Sequence, residues 1–309
     1  MSSWTPAKSI LHAHQMMGAA VTSEPCFPPL LYVVGGSGAS GDVEVLIPAS
    51  FSEEGEQPPR WVAVMSLLTP RFGHAVSVGF DRRIYAIGGR SNPGAALLRG
   101  VEAYMPAGVG VPHGLWAAVA PMPTARERAA AALEYDGVIY VAGGSNGSAV
   151  ETSSPLKTLE GYHPSTNHWH TLAHMHTARD GAAAVAGTDG RIYVIGGFGA
   201  SGSLSSVEAY DPATNTWAHE TPMNTPRDGL GAVLGTDGQI YAIGGENGAE
   251  ALSTVEVYNF ATRTWTPGPS MSTARVQLAT ALGPDGRIYA IGGNTGLLGP
   301  TDSVEALNV

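Results

Sequence analysis

Short apolar runs bounded by turn residues recur along the whole 309-residue chain. Four kinds of run follow one another in a fixed order, represented by "GAAAVAG", "RIYVIGG", "SVEAYDP" and "NTWAHE". Their short length and their glycine, proline, aspartate and asparagine boundaries are typical of β-strands, whereas a helix would need a longer segment with helical periodicity. The pattern therefore predicts an all-β protein made of four-stranded units, whose strands we call a, b, c and d.

The four-stranded unit occurs six times. Each copy has a glycine doublet after strand b, a glutamate in strand c and one tryptophan in strand d, and successive doublets lie about 50 residues apart. The doublets begin at Gly35, Gly88, Gly143, Gly196, Gly244 and Gly292. The glutamates are Glu44, Glu102, Glu160, Glu208, Glu256 and Glu305, and the tryptophans are Trp4, Trp61, Trp116, Trp169, Trp217 and Trp265. A period of this length predicts a repeat architecture.

A basic residue follows each tryptophan by ten residues: His14, Arg71, Arg126, Arg179, Arg227 and Arg275. In the last five units the arginine precedes the first glycine of the doublet by 17 residues, and in the first unit an insertion lengthens this distance to 21. We predict one ion pair per unit between this arginine and the strand c glutamate, because a buried carboxylate needs a partner to offset its desolvation. In the first unit we expect His14 to face Glu305 or Glu44.

This combination of glycine doublet, glutamate, tryptophan and arginine resembles the kelch family, and the resemblance covers the whole chain. It implies a single domain, residues 1–309, folded as a six-bladed β-propeller with four antiparallel strands per blade. Between strands a and b, "YDG", "TDG" and "PDG" supply Asp-Gly pairs suited to tight hairpins. The alanine-rich strands a fit the crowded axis of such an array, and the aromatic residues of the outer strands fit the widening gaps between blades.

The two ends of the chain predict how the propeller closes. The sequence begins with a strand d, around Trp4, and ends with a strand c, "SVEALNV". We expect residues 1–8 to add the missing strand d to the blade formed by residues 275–309, because this pairing removes an open sheet edge.

Composition narrows the range of partners. Sixteen basic and 26 acidic residues give a net charge of −10 without a basic stripe, so we expect no nucleic acid partner. No apolar run has the layout of a signal peptide or the roughly 20 residues of a membrane span, so we expect a soluble, cytoplasmic protein without membrane contact. The one cysteine, Cys26, cannot form a disulfide within the chain.

Function is expected at one end of the propeller axis. Strands within a blade alternate in direction, so the d–a and b–c loops share one face, which we call the mouth face. Loop positions that differ among the repeats are the candidates, because the shared positions are explained by the scaffold. After the basic positions these are Phe72, Glu127, Arg128, Asp180 and Asp228; after the doublets they are Arg90, Asn92, Phe198, Glu246, Asn247 and Asn294. His74, in the predicted strand a, is a candidate general base if it faces the channel, but packing within the strand is the favoured interpretation, since "GHA" at this place is common in kelch repeats.

Three acids, Glu127, Asp180 and Asp228, occupy the same position in three consecutive units. With Glu246 they could form an arc that receives a cationic group or a hard metal ion through oxygen ligands. Alternatively, each carboxylate pairs with a neighbouring arginine, as surface acids commonly do. If the acids converge, Phe72 and Phe198 are expected to be the pocket walls.

Four histidines lie close together in "NHWHTLAHMHTARD": His168, His170, His174 and His176. A His-x-His pair can chelate zinc or copper. Strand d is the outermost strand of a blade, however, and solvated surface histidines are the simpler interpretation there. We assign no metal ligand from the sequence and leave the cofactor open.

The sequence is compatible with more than one class of function. The favoured hypothesis is a non-catalytic module that binds a protein, a peptide, a glycan or another small molecule on the mouth face. The alternative is an enzyme at the same place: the kelch family includes sialic acid mutarotases, and resemblance to them implies sugar isomerisation with Glu127, Asp180, Asp228 or His74 as acid and base, with or without a bound cation. A scaffold without a small ligand predicts a mouth filled by side chains, whereas an enzyme requires an open pocket.

Overall fold

A computed structural model describes residues 3–22, 29–37, 41–52, 55–106, 114–147, 154–248, 250–296 and 298–309. Within these ranges the regular elements are thirty β-strands, and no helix is present. No helix of the described chain is therefore long and apolar enough to cross a membrane. Cys26 lies outside the described residues.

Six four-stranded sheets form the blades, and consecutive strands within each blade are antiparallel. Blade 1 contains β2 (Gly18–Thr22), β3 (Leu30–Val34), β4 (Val43–Ile47) and β7 (Arg60–Ala63), and blade 2 contains β8 (Ala75–Val78), β9 (Ile84–Ile87), β10 (Val101–Met105) and β11 (Leu115–Val119). Blade 3 contains β12 (Ala130–Leu133), β13 (Ile139–Ala142), β14 (Leu159–His163) and β15 (His168–Leu172). Blade 4 contains β16 (Ala183–Ala186), β17 (Ile192–Ile195), β20 (Val207–Asp211) and β21 (Thr216–Glu220).

Blade 5 contains β22 (Gly231–Leu234), β23 (Ile240–Ile243), β26 (Val255–Asn259) and β27 (Thr264–Pro267), and blade 6 contains β28 (Ala279–Leu282), β29 (Arg287–Ile291), β30 (Val304–Asn308) and β1 (Trp4–Ala7). Three short hairpins lie in loops: β5 (Ser50–Ser52) with β6 (Gly55–Gln57), β18 (Phe198–Gly199) with β19 (Gly202–Ser203), and β24 (Glu246–Asn247) with β25 (Glu250–Ala251).

The N-terminal strand completes the last blade. Strand β1 pairs antiparallel with β30, so that Trp4 lies opposite Leu307 and Ala7 lies opposite Val304. The Thr5 hydroxyl also donates to the Ala306 carbonyl. The predicted six-bladed propeller and its closure by the N-terminal strand are therefore confirmed.

Each tryptophan ties its blade to the preceding one. In all six blades the indole Nε1–H donates to a main-chain carbonyl just after the preceding strand d, at 2.7–2.9 Å. The acceptors are Lys8, Met65, Ala120, Ala173, Thr221 and Pro269. Because a buried indole N–H requires a partner, each of these bonds fixes the spacing between two blades.

The strands a pack against one another around the axis, where space is short. A Cβ on Gly18 would lie 2.0 Å from Val76 Cγ2 of the next blade, and one on Gly231 would lie 2.2 Å from Thr280 Cγ2. The close approach of adjacent blades therefore requires glycine at these two positions of strand a.

A buried arginine organises each of blades 2 to 6. Its guanidinium donates to the carbonyl of the first glycine of the doublet at 2.7–3.0 Å, which explains the spacing of 17 residues between them. It also pairs with the strand c glutamate, at 2.7–2.9 Å in blades 3 to 6. Burial lowers the pKa of these arginines, although the paired glutamate opposes the shift. The predicted pair within each blade is confirmed for Arg71, Arg126, Arg179, Arg227 and Arg275.

Blade 1 differs from this arrangement. His12, not His14, contacts Glu44, with 3.1 Å between Nδ1 and Oε1. His14 Nδ1 lies 3.4 Å from the Ser37 carbonyl. The expected contact of His14 with Glu305 or Glu44 is therefore wrong, because an imidazole at the arginine position is too short to reach strand c.

Removal of residues 1–8 is expected to lower the melting temperature by more than about 5 °C, because it removes several net hydrogen bonds of about 1 kcal/mol each and exposes β30. Thermal unfolding followed by circular dichroism checks this. Trp4→Phe, which removes only the bond to the Pro269 carbonyl, should show a smaller loss. An unchanged melting curve for the truncated chain would refute the closure.

Arg227→Met is expected to lower the free energy of unfolding by about 3–5 kcal/mol, because Glu256 remains buried without its charged partner. The matched control is Arg287→Met, since the Arg287–Asp285 pair is 37% and 40% exposed and such pairs contribute about 0–1 kcal/mol. Urea denaturation measures both. Equal losses would contradict the structural importance of the buried pair.

Candidate functional site

A closed ring of six main-chain hydrogen bonds surrounds the axis at the mouth face. The residue two positions after each repeated basic residue donates its N–H to the carbonyl of the same position in the preceding blade, at 2.6–3.0 Å. The ring residues are Met16, Gly73, Arg128, Gly181, Gly229 and Gln277. The ring closes between blade 6 and blade 1, where Met16 donates to Gln277.

All six ring residues have a left-handed backbone, with φ between 55° and 62°. Glycine adopts this conformation freely, but another residue loses about 1–2 kcal/mol. Met16, Arg128 and Gln277 hold it nonetheless. Left-handed non-glycine residues are concentrated at functional sites, so these three side chains are the leading candidates for contact with a ligand.

A depression of about 110 Å³ lies on the axis inside this ring. Each blade contributes its ring residue and the residue that follows it along the chain. The following residues are Met17, His74, Ala129, Ala182, Leu230 and Leu278. The lining is therefore largely apolar, with polar groups from Arg128, Gln277 and His74.

The Arg128 guanidinium bridges two of the three predicted acids. Its Nη1 lies 3.0 Å from Asp180 Oδ1 and its Nη2 lies 3.3 Å from Asp228 Oδ2. Both carboxylates are buried, whereas the Arg128 side chain is 23% exposed. Gly181 makes room for the guanidinium, since a Cβ there would lie 2.7 Å from Nη2. The chain itself thus supplies a cation to Asp180 and Asp228.

The third acid, Glu127, is bound by a different arginine. Arg90 Nε and Nη2 donate to the two carboxylate oxygens at 3.1 and 2.9 Å. The fully buried Arg90 also donates to the carbonyls of Ala95 and Gly147, in the b–c loops of blades 2 and 3. Arg90 and Glu127 therefore join two neighbouring loops, away from the lining of the depression.

Glu246 is the remaining member of the predicted arc. Its burial and the negative charge of Asp228 raise the pKa of its carboxyl, and the charge of Arg128 opposes this only in part. The Asp228 carboxylate also accepts a hydrogen bond from the Ser203 hydroxyl at 2.6 Å. Glu246 thus lies beside the Arg128 network at the rim of the mouth.

His74 lies in the wall of the depression and is 6% exposed. Burial, with a smaller effect from the charge of Arg71, lowers the pKa of its imidazole to about 3. The ring is therefore neutral near pH 7, and proton uptake there is strongly disfavoured.

The other candidates lie outside the depression. Phe72 is 7% exposed and pairs through its main chain with Arg90, so its ring does not form a wall. Phe198 is 38% exposed in β18. Asn92 and Asn247 are exposed, and Asn294 is partly buried. Of the candidates, His74 and Arg128 line the depression.

Sequence reasoning missed several residues of the lining, among them Met16, Gln277 and Leu230. The first residue after each arginine forms a main-chain bridge with the residue after the doublet, as Asp180 does with Phe198. The left-handed residue that follows then turns the chain toward the axis. Glycine at this position in three blades, Gly73, Gly181 and Gly229, was the available signal.

The four neighbouring histidines do not assemble into one group. The ring of His170 lies 4.9 Å from that of His163 and 5.0 Å from that of His168. His176 instead stacks on His219 at 4.4 Å. The sequence did not connect His176 with His219, because strand pairing in blade 4 brings them together.

The chain belongs to the kelch-repeat family: the family model described as the KLHDC2/KLHL20/DRC7 Kelch-repeats domain matches residues 115–293. Propellers of this family are generally protein-binding modules. A solved structure titled "Structure of YjhT" is similar over 96% of this chain and 95% of that chain, with a TM-score of 0.77 and 17% sequence identity. At this identity the similarity shows the fold alone. A comparison with curated proteins finds no match.

Reciprocal substitutions at the ring test the backbone strain. Gly73→Ala should lower the free energy of unfolding by about 1–2 kcal/mol, because the new Cβ has no contact closer than 3.6 Å and only the backbone conformation is penalised. Gln277→Gly should raise it by about 0.5–1 kcal/mol, since relief of strain exceeds the added flexibility of the unfolded chain. Urea denaturation measures both, and shifts in the same direction would contradict the interpretation.

Proposed function

We propose that the protein binds a protein or peptide partner on the mouth face and that one partner side chain enters the depression on the axis. The volume of the depression carries this proposal. Sites for small molecules usually measure about 300–1,000 Å³, whereas the depression measures about 110 Å³. This volume suits a single inserted side chain better than a whole sugar ring with its substituents.

Arg128 is the anchor of the proposed site. Two carboxylates hold its guanidinium in place, so little side-chain entropy is lost when a partner binds. A guanidinium has five N–H donors, and the Arg128 side chain is 23% exposed, so an acceptor oxygen of the partner can approach it while Asp180 and Asp228 hold the other side. Interface hot spots are enriched in arginine and aromatic residues, and the exposed Phe198 provides an aromatic group on the same face.

The contacts of the proposed catalytic residues favour binding over sugar isomerisation. Glu127, Asp180 and Asp228 are buried and paired with Arg90 or Arg128. A general acid or base must reach the reacting atoms and have a pKa near the working pH, and His74, with a pKa of about 3, does not satisfy the second condition.

A single domain of residues 1–309 and a cytoplasmic location stay predictions.

Selection from a random peptide display library tests the proposal. Selected peptides are titrated by fluorescence anisotropy against the protein and its variants. Arg128→Lys, which keeps the charge but loses the planar fork, and Gln277→Gly, which removes a lining side chain, should each weaken binding at least about tenfold. Tyr135→Ser is the control, because Tyr135 is 80% exposed in an a–b turn on the opposite face.

Peptides that bind the wild type and both mouth variants equally, or that lose affinity for Tyr135→Ser, would contradict the proposal. The enzymatic alternative is tested separately by NMR exchange between the anomers of sialic acid. That alternative requires the wild-type protein to accelerate the exchange.

A further inference from the structure

A second polar cluster lies on blade 4, on the side of the sheet away from the axis. Glu208 in β20 is directly opposite His219 in β21. His176, in the d–a loop that leads into this blade, stacks on His219 with 29° between the rings. His176 Nδ1 lies 3.0 Å from Glu208 Oε2. One potential ligand atom from each of the three residues lies within 4.8 Å of the other two.

We propose that His176, Glu208 and His219 bind a zinc ion, with a fourth position open to water or to a donor atom of a partner. Two imidazoles and one carboxylate are a ligand set of open zinc sites. Zinc bonds to nitrogen and oxygen are about 2.0–2.2 Å long. His176 Nδ1 and Glu208 Oε2, which are 3.0 Å apart, can therefore share one ion after a shift of a few tenths of an ångström. His219 is exposed, its ring is stacked on that of His176, and its ligand atom lies within 4.8 Å of the other two, so it joins the same ion by rotation of its side chain.

Hydrogen bonds hold the carboxylate of this site in place. Arg179 Nη2 and the main-chain N–H of Thr177 donate to Glu208 Oε1 at 2.7 and 3.0 Å, and the main-chain N–H of His176 donates to Oε2 at 2.7 Å. Glu208 Oε2 is therefore fixed beside His176 Nδ1. When the His176 ring carries its proton on Nε2, Nδ1 has a free lone pair for the metal.

The histidines exceed what the scaffold needs. In blade 5 Asn224 Nδ2 donates to Glu256 Oε2 at 2.8 Å, and in blade 6 the Ser272 hydroxyl donates to Glu305 Oε2 at 2.7 Å. In these two blades a smaller side chain at the position of His176 is thus sufficient to donate a hydrogen bond to the strand c glutamate. The residues opposite the glutamate in the other blades are Ala63, Ala118, Thr171, Pro267 and Pro6. Histidine occupies both positions in blade 4 alone.

Other histidine groups in the described residues provide the controls. His12, His14 and Asp42 form a second group with ligand atoms as closely spaced, but His12 Nδ1 faces Glu44 Oε1, outside that group, and His14 is buried. His168 and His170 flank Trp169 on β15. The repeats suggest substitutions that preserve the fold. Threonine stands at the position of His12 in the other five blades. In blade 5, Thr264 and Thr266 stand at the positions of His168 and His170.

Isothermal titration of metal-free protein with ZnCl₂ tests the site. The wild type should bind one zinc ion per chain at this site. His176→Asn and His219→Thr introduce the residue types that Asn224 and Thr171 supply in blades 5 and 3, and each should weaken binding at least about tenfold. His12→Thr and the double variant His168→Thr/His170→Thr should bind as the wild type does. Melting curves without zinc should be similar for all five proteins.

A second measurement needs no substitution. Co²⁺ added to the wild type should first broaden the imidazole NMR signals of His176 and His219. Absence of zinc uptake, unchanged uptake by His219→Thr, loss of uptake by His12→Thr, or initial broadening of His163, His168 and His170 would each overturn the proposal.

Discussion

The buried arginine of each repeat is the interaction on which the rest of the structure depends. In blades 2 to 6 one guanidinium joins the glycine doublet after strand b, the glutamate of strand c and the d–a loop in which the arginine itself lies. Replacing a buried ion pair by apolar residues is often neutral for stability, while leaving one member unpaired is costly. The pair therefore acts mainly by making other conformations of the d–a loop unfavourable, because in them the arginine or the glutamate would be buried without its partner.

Fixing the arginine also fixes the residues that follow it. The first residue forms a bridge to the b–c loop, the second enters the hydrogen-bonded ring in a left-handed conformation, and the third faces the depression. Because these main-chain contacts do not depend on side-chain identity, the ring accepts glycine in three blades and Met16, Arg128 and Gln277 in the others. The scaffold thus presents different side chains at one geometrically constant position.

Repeated features of this fold could be predicted from the sequence, whereas the site could be predicted only in part. The constant spacing of 17 residues between arginine and glycine corresponds to one hydrogen bond between them. The spacing therefore indicated the extent of each blade and the presence of its buried arginine. The partner of Asp180 and Asp228 was harder to predict, because the guanidinium between them belongs to Arg128 in another blade. A strand pattern also cannot show where a left-handed residue redirects the chain, so Met16 and Gln277 were missed. His219 is brought to His176 only by the register of β20 and β21.

Amide hydrogen exchange at the ring tests this account most directly. If buried arginines hold a closed ring at the mouth, the amides of Gly73, Arg128, Gly181 and Gly229 should exchange as slowly as those of the central strands, because they open only with global unfolding. Exchange of these amides at the rates typical of exposed loops would contradict a rigid ring and, with it, a preformed mouth.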